Sequence, residues 1–344
     1  MTMTTLVDAS REALAREMAR DPSIFVLGED VRQGGIFSQY RGLAAEFGPD
    51  RVVDTPIAEA TMVGAAVGAA MMGLRPVVET RFSDFALSAI DEIVNQAAKM
   101  RFMSGGQVRV PLVLRLPSGL RQGSAAQHSQ SLEAWFCHIP GLVVAAPASP
   151  ADAAGLLLTA LRGEDPVLMF EAKELWQARG EVDDPARPVP FGSARYLRRG
   201  SDATVVAWSA AVKASLDAAA LLAPHGVTVD LIDLRTLWPW DRTTVLESVA
   251  RTGRLVVAHE SIRDGGFGAE IAATVAEELH DLLRAPVKRV AAPRIPVGYA
   301  PTLEALSRVT APQIALAVGS ACEVALDIEP PGVPQSAAPL EHRL

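Results

Sequence analysis

Short apolar segments alternate with helix-length stretches along almost the whole chain. Ile24–Leu27, Val52–Val53, Pro76–Glu79, Val110–Leu116, Gly141–Ala146 and Val167–Phe170 are brief and largely apolar, as buried strands are. Helical stretches at 5–20, 43–47, 59–72, 86–100 and 150–161 separate them, and Asp21-Pro22 ends the first. Parallel neighbours need a crossover, so this alternation predicts a parallel sheet covered by helices on both faces. Asp183-Asp184-Pro185, Pro188 and Pro190 then mark a linker. The pattern restarts with strands at Thr204–Trp208, Val227–Ile232, Leu255–His259 and Val287–Val290, and helices near 210–223, 241–251 and 268–284. The expected fold class is α/β with two doubly wound domains, 1–180 and 195–325. A linker at 181–194 joins them, and a mobile Pro-rich tail at 326–344 follows.

The 344 residues suffice for two cores, and 49% apolar with 21% charged residues is the balance of a globular protein. A net charge of -8 without a Lys/Arg cluster argues against nucleic acid as the main partner. Cys137 and Cys322 lie far apart without metal-ligand spacing and read as buried or idle thiols of a reducing cytosol. No basic region followed by an apolar core opens the chain, and no run of about twenty uncharged apolar residues occurs. The expectation is a cytoplasmic protein with neither signal peptide nor membrane span.

Ligands of such sheets bind at the carboxyl ends of the strands. Gly28-Glu29-Asp30, Asp54–Glu59 and Glu79–Phe85 all follow predicted strands and can line one rim. Glu59, flanked by Ile57, Ala58 and Ala60, has two readings. It is a desolvated carboxyl with a raised pKa, suited to donate a proton to a heterocyclic nitrogen, or a glutamate opening the next helix. Phe82 and Phe85 stack on a ligand or belong to the core. His128, in the polar run Ala125-Ala126-Gln127-His128-Ser129-Gln130, is a general acid/base or a surface histidine. The helix after Glu59 is poor in bulk, with Gly64 and Gly68 on one face. That suits a close crossing at a subunit or domain seam, or tight internal packing. Arg81 meets a carboxylate or is solvated. Gly265-Gly266-Phe267-Gly268 lacks dinucleotide-fingerprint spacing, and no phosphate-loop lysine, Gly-x-Ser-x-Gly elbow or Cys/His cluster is present.

Leu27-Gly28-Glu29-Asp30-Val31, Asp54-Thr55-Pro56-Ile57-Ala58-Glu59 and Gly73-Leu74-Arg75-Pro76-Val77 together form a specific pattern. So do Phe85 to Gly106, Ala125 to Phe136, Pro140-Gly141-Leu142, Asp233 to Leu237, Pro239, His259-Glu260 and Gly265 to Glu270. With these, roughly residues 5–320 resemble the β subunit of the thiamine-diphosphate-dependent 2-oxo acid dehydrogenases. The resemblance implies a transketolase-like pyrimidine-binding domain followed by a transketolase C-terminal domain. It implies that Glu59 hydrogen-bonds the cofactor's pyrimidine nitrogen and promotes the imino tautomer that takes the thiazolium proton. Phe85 matches the aromatic that stacks on the pyrimidine, and His128 an active-site histidine that handles the acyl intermediate and lipoyl group. Glu29 and Ile57 match further cofactor positions, and Glu29 and Asp91 match acidic positions of a proton relay between two active sites. Some members hold a potassium ion on carbonyls matching Leu112, Ala160, Leu161, Gly163 and Asp165, where Gly163 replaces a family aspartate.

The family's diphosphate and magnesium motif, Gly-Asp-Gly on the α chain, is missing here. The resemblance therefore implies half an active site, completed by an α subunit in an assembly of two α and two β chains. It further implies docking of the lipoyl acyltransferase's subunit-binding domain on the C-terminal domain. The segment 125–136 resembles pyruvate or acetoin members more than branched-chain ones. The readings carried forward are a β subunit of a pyruvate-type 2-oxo acid dehydrogenase, an acetoin or branched-chain counterpart, and a catalytically silent scaffold.

Overall fold

A computed structural model of the chain describes residues 2–329. The tail expected to be mobile falls, from residue 330 onward, outside the described residues. The described residues form two compact units, 2–121, 127–194 and 234–241 in the first, and 122–126, 195–233 and 242–329 in the second.

The first unit runs β1 (Thr2–Thr5), α1 (Leu6–Arg20), β2 (Ile24–Gly28), α2 (Leu43–Phe47), β3 (Val52–Asp54), α3 (Glu59–Met71) and β4 (Arg75–Glu79). A helical run over 83–103, ending in α4 (Ala98–Met103), precedes β5 (Val113–Ser118), α5 (Glu133–Cys137) and β6 (Val143–Ala145). Then come α6 (Pro150–Arg162), β7 (Val167–Ala172) and β8 (Arg179–Val182). The second unit holds β9 (Arg195–Arg198), β10 (Ala203–Ala207), α7 (Ala211–Leu222) and β11 (Val229–Asp233). The chain returns to the first unit for β12 (Thr236–Trp238). It ends in the second unit with α8 (Arg242–Thr252), β13 (Leu255–Ile262), α9 (Gly268–Leu279), β14 (Lys288–Ala292), α10 (Pro301–Glu304) and α11 (Ala311–Cys322).

The helices start where capping chemistry allows. Thr5 accepts the Asp8 amide at 3.1 Å to open α1. Ser149 accepts the Asp152 amide at 3.2 Å to open α6, whose first residue is Pro150. Both satisfy an amide left without an intrahelical acceptor.

The first sheet has the order β12-β6-β7-β5-β4-β2-β3 and is parallel except for β12. The second has the order β14-β13-β10-β11-β9 and is parallel except for β9. β1 and β8 pair antiparallel as a separate ribbon, so part of the segment expected as linker is strand. Every residue of β5 and β7 is buried, as helices on both faces require.

The helix expected at 86–100 is irregular. It winds tightly as 3-10 helix over Ser83–Ala89, opens to a π-helix over Glu92–Ala97 and continues as α4. Apolar spacing does not separate these windings, whereas each aims its side chains differently.

Register sets the site. Gly28 of β2 is level with Asp54 of β3 and with Glu79 of β4, and Glu79 is level with Arg115 of β5. Three strands thus end on one line, and the loops after them share a rim. Beneath it lies a buried charge array. Arg115 donates to both carboxylate oxygens of Glu171 on β7, at 2.9 and 2.7 Å, and its guanidinium sits 5.1 Å from the Tyr40 ring centre. Gln39 donates to Glu79 at 2.8 Å.

A buried charge that loses its partner is far costlier than a surface one. Arg115→Met is expected to cost about 3–5 kcal/mol in urea unfolding, and adding Glu171→Leu to recover most of that loss.

Candidate active site

Glu59 opens α3 and is half-buried. It receives a hydrogen bond from the Ser88 hydroxyl at 3.2 Å. Ser88 sits in the 3-10 segment, and its one hydroxyl proton is shared with the nearer Phe85 carbonyl at 2.7 Å. Glu29, just past β2, is buried and close enough to Glu59 for the two charges to repel. Burial raises the Glu29 carboxyl above the usual carboxylate range, Arg81 opposes that rise, and Glu59 and Asp30 add to it. Arg81 donates to Glu29 at 3.1 Å and also pairs with Asp30. The carboxylates it meets are therefore this chain's own.

Phe82, Phe85 and His128 form one edge-on ring cluster. His128 lies 4.7 Å from Phe82 and 5.3 Å from Phe85 between ring centres, and the two phenylalanines are 5.6 Å apart. All three are half-buried, as rings between core and solvent. The loop carrying His128 is folded back by Ser83, which donates to the Gln130 carbonyl at 3.0 Å, and by Gln130, which donates to Asp84 at 2.9 Å. Lys173 donates to the His128 carbonyl and lies 5.0 Å from the Phe82 ring centre.

Ile57 is 78% exposed, beside these groups in sequence and free of the core. Asp91 is exposed and accepts from Asn95 at 2.6 Å and from Gln96 at 3.4 Å, so its contacts are within its own helical run. The groups expected to hold potassium have protein partners. The Leu161 and Gly163 carbonyls accept from the Arg75 guanidinium at 3.2 and 2.6 Å. Leu112 accepts the Val167 amide at 2.8 Å, Ala160 accepts the Gly163 amide at 3.2 Å, and Asp165 pairs with Arg101.

Four rim segments each bury a polar atom without a hydrogen-bond partner among the described residues: Glu29 Oε1, Thr55 Oγ1, Asp84 Oδ2 and Ser129 Oγ. Such atoms are costly unless a ligand or water meets them. With the Glu59 carboxylate, these carboxylate and hydroxyl oxygens are acceptors of the kind that ring or amino N–H groups of a ligand can meet. Among the described residues no three His, Cys, Asp or Glu converge as a metal site.

α3 buries Met62, Val63, Ala66, Val67 and Ala70, whereas Gly68 is exposed. A Cβ at Gly68 would meet nothing within 4 Å, and one at Gly64 only Glu92 Cγ at 3.5 Å. The Gly68 side of α3 is uncovered in this chain, whereas Gly64 is half-buried and Ala66 and Ala70 pack inside.

In the second unit, the His259-Glu260 and Gly265–Glu270 motifs meet. His259 is fully buried, stacks on Trp208 at 4.9 Å, and is lowered to a pKa of about 4, chiefly by burial. A Cβ on Gly268 would lie 2.6 Å from its Nε2, so the start of α9 needs a glycine to pack on the ring. Sequence reading did not find Arg81's partners, Gln39 or the Arg115–Glu171 pair.

The transketolase pyrimidine-binding domain profile matches residues 2–178, and the transketolase C-terminal domain profile matches residues 192–314. The chain is 44% identical over 321 residues to the pyruvate dehydrogenase E1 component subunit beta of Rickettsia bellii, covering 93% of this chain and 99% of that one. It is 44% identical over 320 residues to the acetoin:2,6-dichlorophenolindophenol oxidoreductase subunit beta of Cupriavidus necator (90% and 94% covered). It is 42% identical over 307 residues to the 2-oxoisovalerate dehydrogenase subunit beta of Bacillus subtilis (88% and 94% covered). Among solved structures, a split-gene transketolase described as an inactive β4 tetramer aligns with a TM-score of 0.77 at 25% identity, covering 93% of this chain and 98% of that one. Fold and rim define a transketolase-type pyrimidine-binding unit paired in sequence with its C-terminal unit. The chain belongs to the β-subunit family of the thiamine-diphosphate-dependent 2-oxo acid dehydrogenases.

Glu79, buried under the rim, is raised to about 7 by desolvation, which outweighs the opposing Arg115 and Gln39. Its folded pKa lies above the ordinary glutamate value of 4.5, so the native state holds the extra proton between those values. Stability is then lost as pH rises through that window. Relative to Glu79→Gln, the native protein is expected to lose on the order of 2–3 kcal/mol between about pH 4.5 and 7, read from paired thermal melts across pH.

Proposed function

We propose that this chain is the β subunit of the decarboxylating first component of a 2-oxo acid dehydrogenase complex of pyruvate type. The observation that carries this reading is the Glu59 carboxylate at the strand-end rim beside buried, unsatisfied Glu29, with the Phe85 and His128 rings on the same rim. Thiamine diphosphate, when bound, supplies the carbon nucleophile that adds to the 2-oxo acid and holds the electron pair left when carbon dioxide departs.

The residues of this chain divide the remaining work. Glu59 exchanges a proton with the pyrimidine ring nitrogen, and the Ser88 hydroxyl orients its carboxylate. Phe85 offers a ring to the pyrimidine, with Ile57 an apolar contact. Phe82 and Phe85 hold the His128 imidazole by its edges, where it can meet the acyl group and the lipoyl arm. Glu29 relays protons behind Glu59, and Asp91 is the outer member of that relay.

The diphosphate and its magnesium belong to an α subunit in this reading, because the chain has no Gly-Asp-Gly motif. The open space beside Gly68 of α3 supports a close crossing with that subunit in an α2β2 assembly. The inactive β4 tetramer among the structural neighbours supports a chain that is idle until a different chain completes it. The acyltransferase's subunit-binding domain would dock on the C-terminal domain. Potassium, if bound, would share the Leu112, Ala160, Leu161, Gly163 and Asp165 groups with Arg75 and the other partners described above. We read 1–180 and 195–325 as the two domains, with 181–194 between them. No described helix is long and apolar enough to cross a membrane, and a cytoplasmic location is part of this reading.

Acetoin cleavage is the second reading, favoured by a relative as similar as the pyruvate ones. Both are tested by co-producing the chain with its α subunit and assaying pyruvate, branched-chain 2-oxo acids and acetoin with thiamine diphosphate, magnesium and an artificial electron acceptor. Pyruvate turnover is expected to dominate. Glu59→Gln should lower it at least ~100-fold with the assembly intact, and unchanged turnover in that variant would sink the assignment.

A further inference from the structure

We propose that Arg81 is a positioning residue: its guanidinium clamps Glu29 and Asp30 at the end of β2 and so fixes the Glu29 carboxylate beside Glu59. The inference rests on the reading of Glu59 as the cofactor-facing carboxylate. It goes beyond that reading, because nothing in the family motifs gives Arg81 a part.

Arg81 stands two residues past the end of β4, and Glu29 directly follows β2. The register that levels Glu79 with Gly28 therefore brings the two side chains to one rim. Arg81 Nε donates to Glu29 Oε2 at 3.1 Å, and its Nη2 pairs with the Asp30 carboxylate. One guanidinium thus spans adjacent acids, a task its planar fork performs and a lysine's point charge performs less well.

The charged groups that act on Glu29 are Arg81 from the β4 loop, Glu59 from the start of α3 and Asp30 from its own turn. Two of these three are carboxylates, and Glu29 is buried with one oxygen unsatisfied among the described residues. Burial and both acids favour the protonated form, and Arg81 alone of the three opposes them. Removing it leaves a buried acid facing two others, so Glu29 would take up a proton at higher pH and lose its fixed direction. Asp30 is held at φ 55, a left-handed turn in which tethering its side chain also fixes the backbone that carries Glu29.

The test compares the full chain with Arg81→Met, Arg81→Lys and Glu29→Gln. Infrared spectra across pH follow the protonated-carboxyl band that disappears in Glu29→Gln. Its midpoint is expected about one pH unit higher in Arg81→Met, with most of that change reversed in Arg81→Lys. In the assembly with the α subunit, the acid limb of the kcat/KM profile should move the same way, with KM for the oxo acid held within about twofold. Coincident infrared midpoints in the native chain and Arg81→Met would overturn the proposal. So would a KM raised about tenfold with an unmoved pH profile, which would make Arg81 a substrate-carboxylate ligand. The infrared comparison needs neither cofactor nor substrate. Absence of turnover in the native assembly would therefore overturn the functional reading and leave the Arg81–Glu29 result standing.

Discussion

The two-pronged ion pair between Arg115 and Glu171 is the interaction on which the rim of the first sheet rests. Both residues are almost wholly buried, on adjacent strands in the middle of a seven-stranded sheet. Taking two charges out of water costs several kcal/mol each, and only excellent geometry returns it. Here the return is a fixed direction. With Arg115 held by Glu171, the Tyr40 ring has a cationic face to lie against, and Gln39 beside it reaches Glu79. Gln39 also accepts the Phe37 amide at 2.9 Å, and the Phe37 ring packs on Phe82 and Trp176. A charge pair below the rim thereby reaches, through one loop, the aromatic cluster that carries His128.

Much of this fold can be read from sequence because its central strands are buried on both faces. Such strands are uniform apolar runs and stand out between helices. The antiparallel edges do not stand out. β9 is Arg-Tyr-Leu-Arg and β1 is Thr-Met-Thr-Thr, segments with charge or hydroxyls where a core strand has valine. Edges hydrogen-bond on one side only, so they tolerate side chains that say little about strand. The return of 234–241 to the first unit has no local signal at all.

The same division holds for the site. Glu59, Phe85 and His128 lie in motifs specific enough to be found by resemblance, and the rim brings Phe85 and His128 into contact. The network around them was illegible because its partners are distant in sequence. Gln39 and Glu79 are 40 residues apart, Arg81 and Glu29 are 52, and Arg115 and Glu171 are 56. Strand register decides which of many acids an arginine meets. The glycines of 265–268 are a different case. Their spacing excluded a nucleotide loop, and the packing of Gly268 on His259 supplies the reason for a glycine there.

The exposed apolar side chains of the first unit bear on how such a chain must be made. Phe102 is 88% exposed, Met72 85% and Ile57 78%, with Trp135 at 59%. Exposed apolar side chains of this size favour association with whatever covers them, at roughly 25 cal/mol for each Å² removed from water. If a partner subunit is the intended cover, any excess of this chain over that partner has only itself or a chaperone to meet. Matched synthesis of the two chains then becomes a colloidal requirement, set largely by side chains, Phe102, Met72 and Trp135, that hold no place in the proposed chemistry.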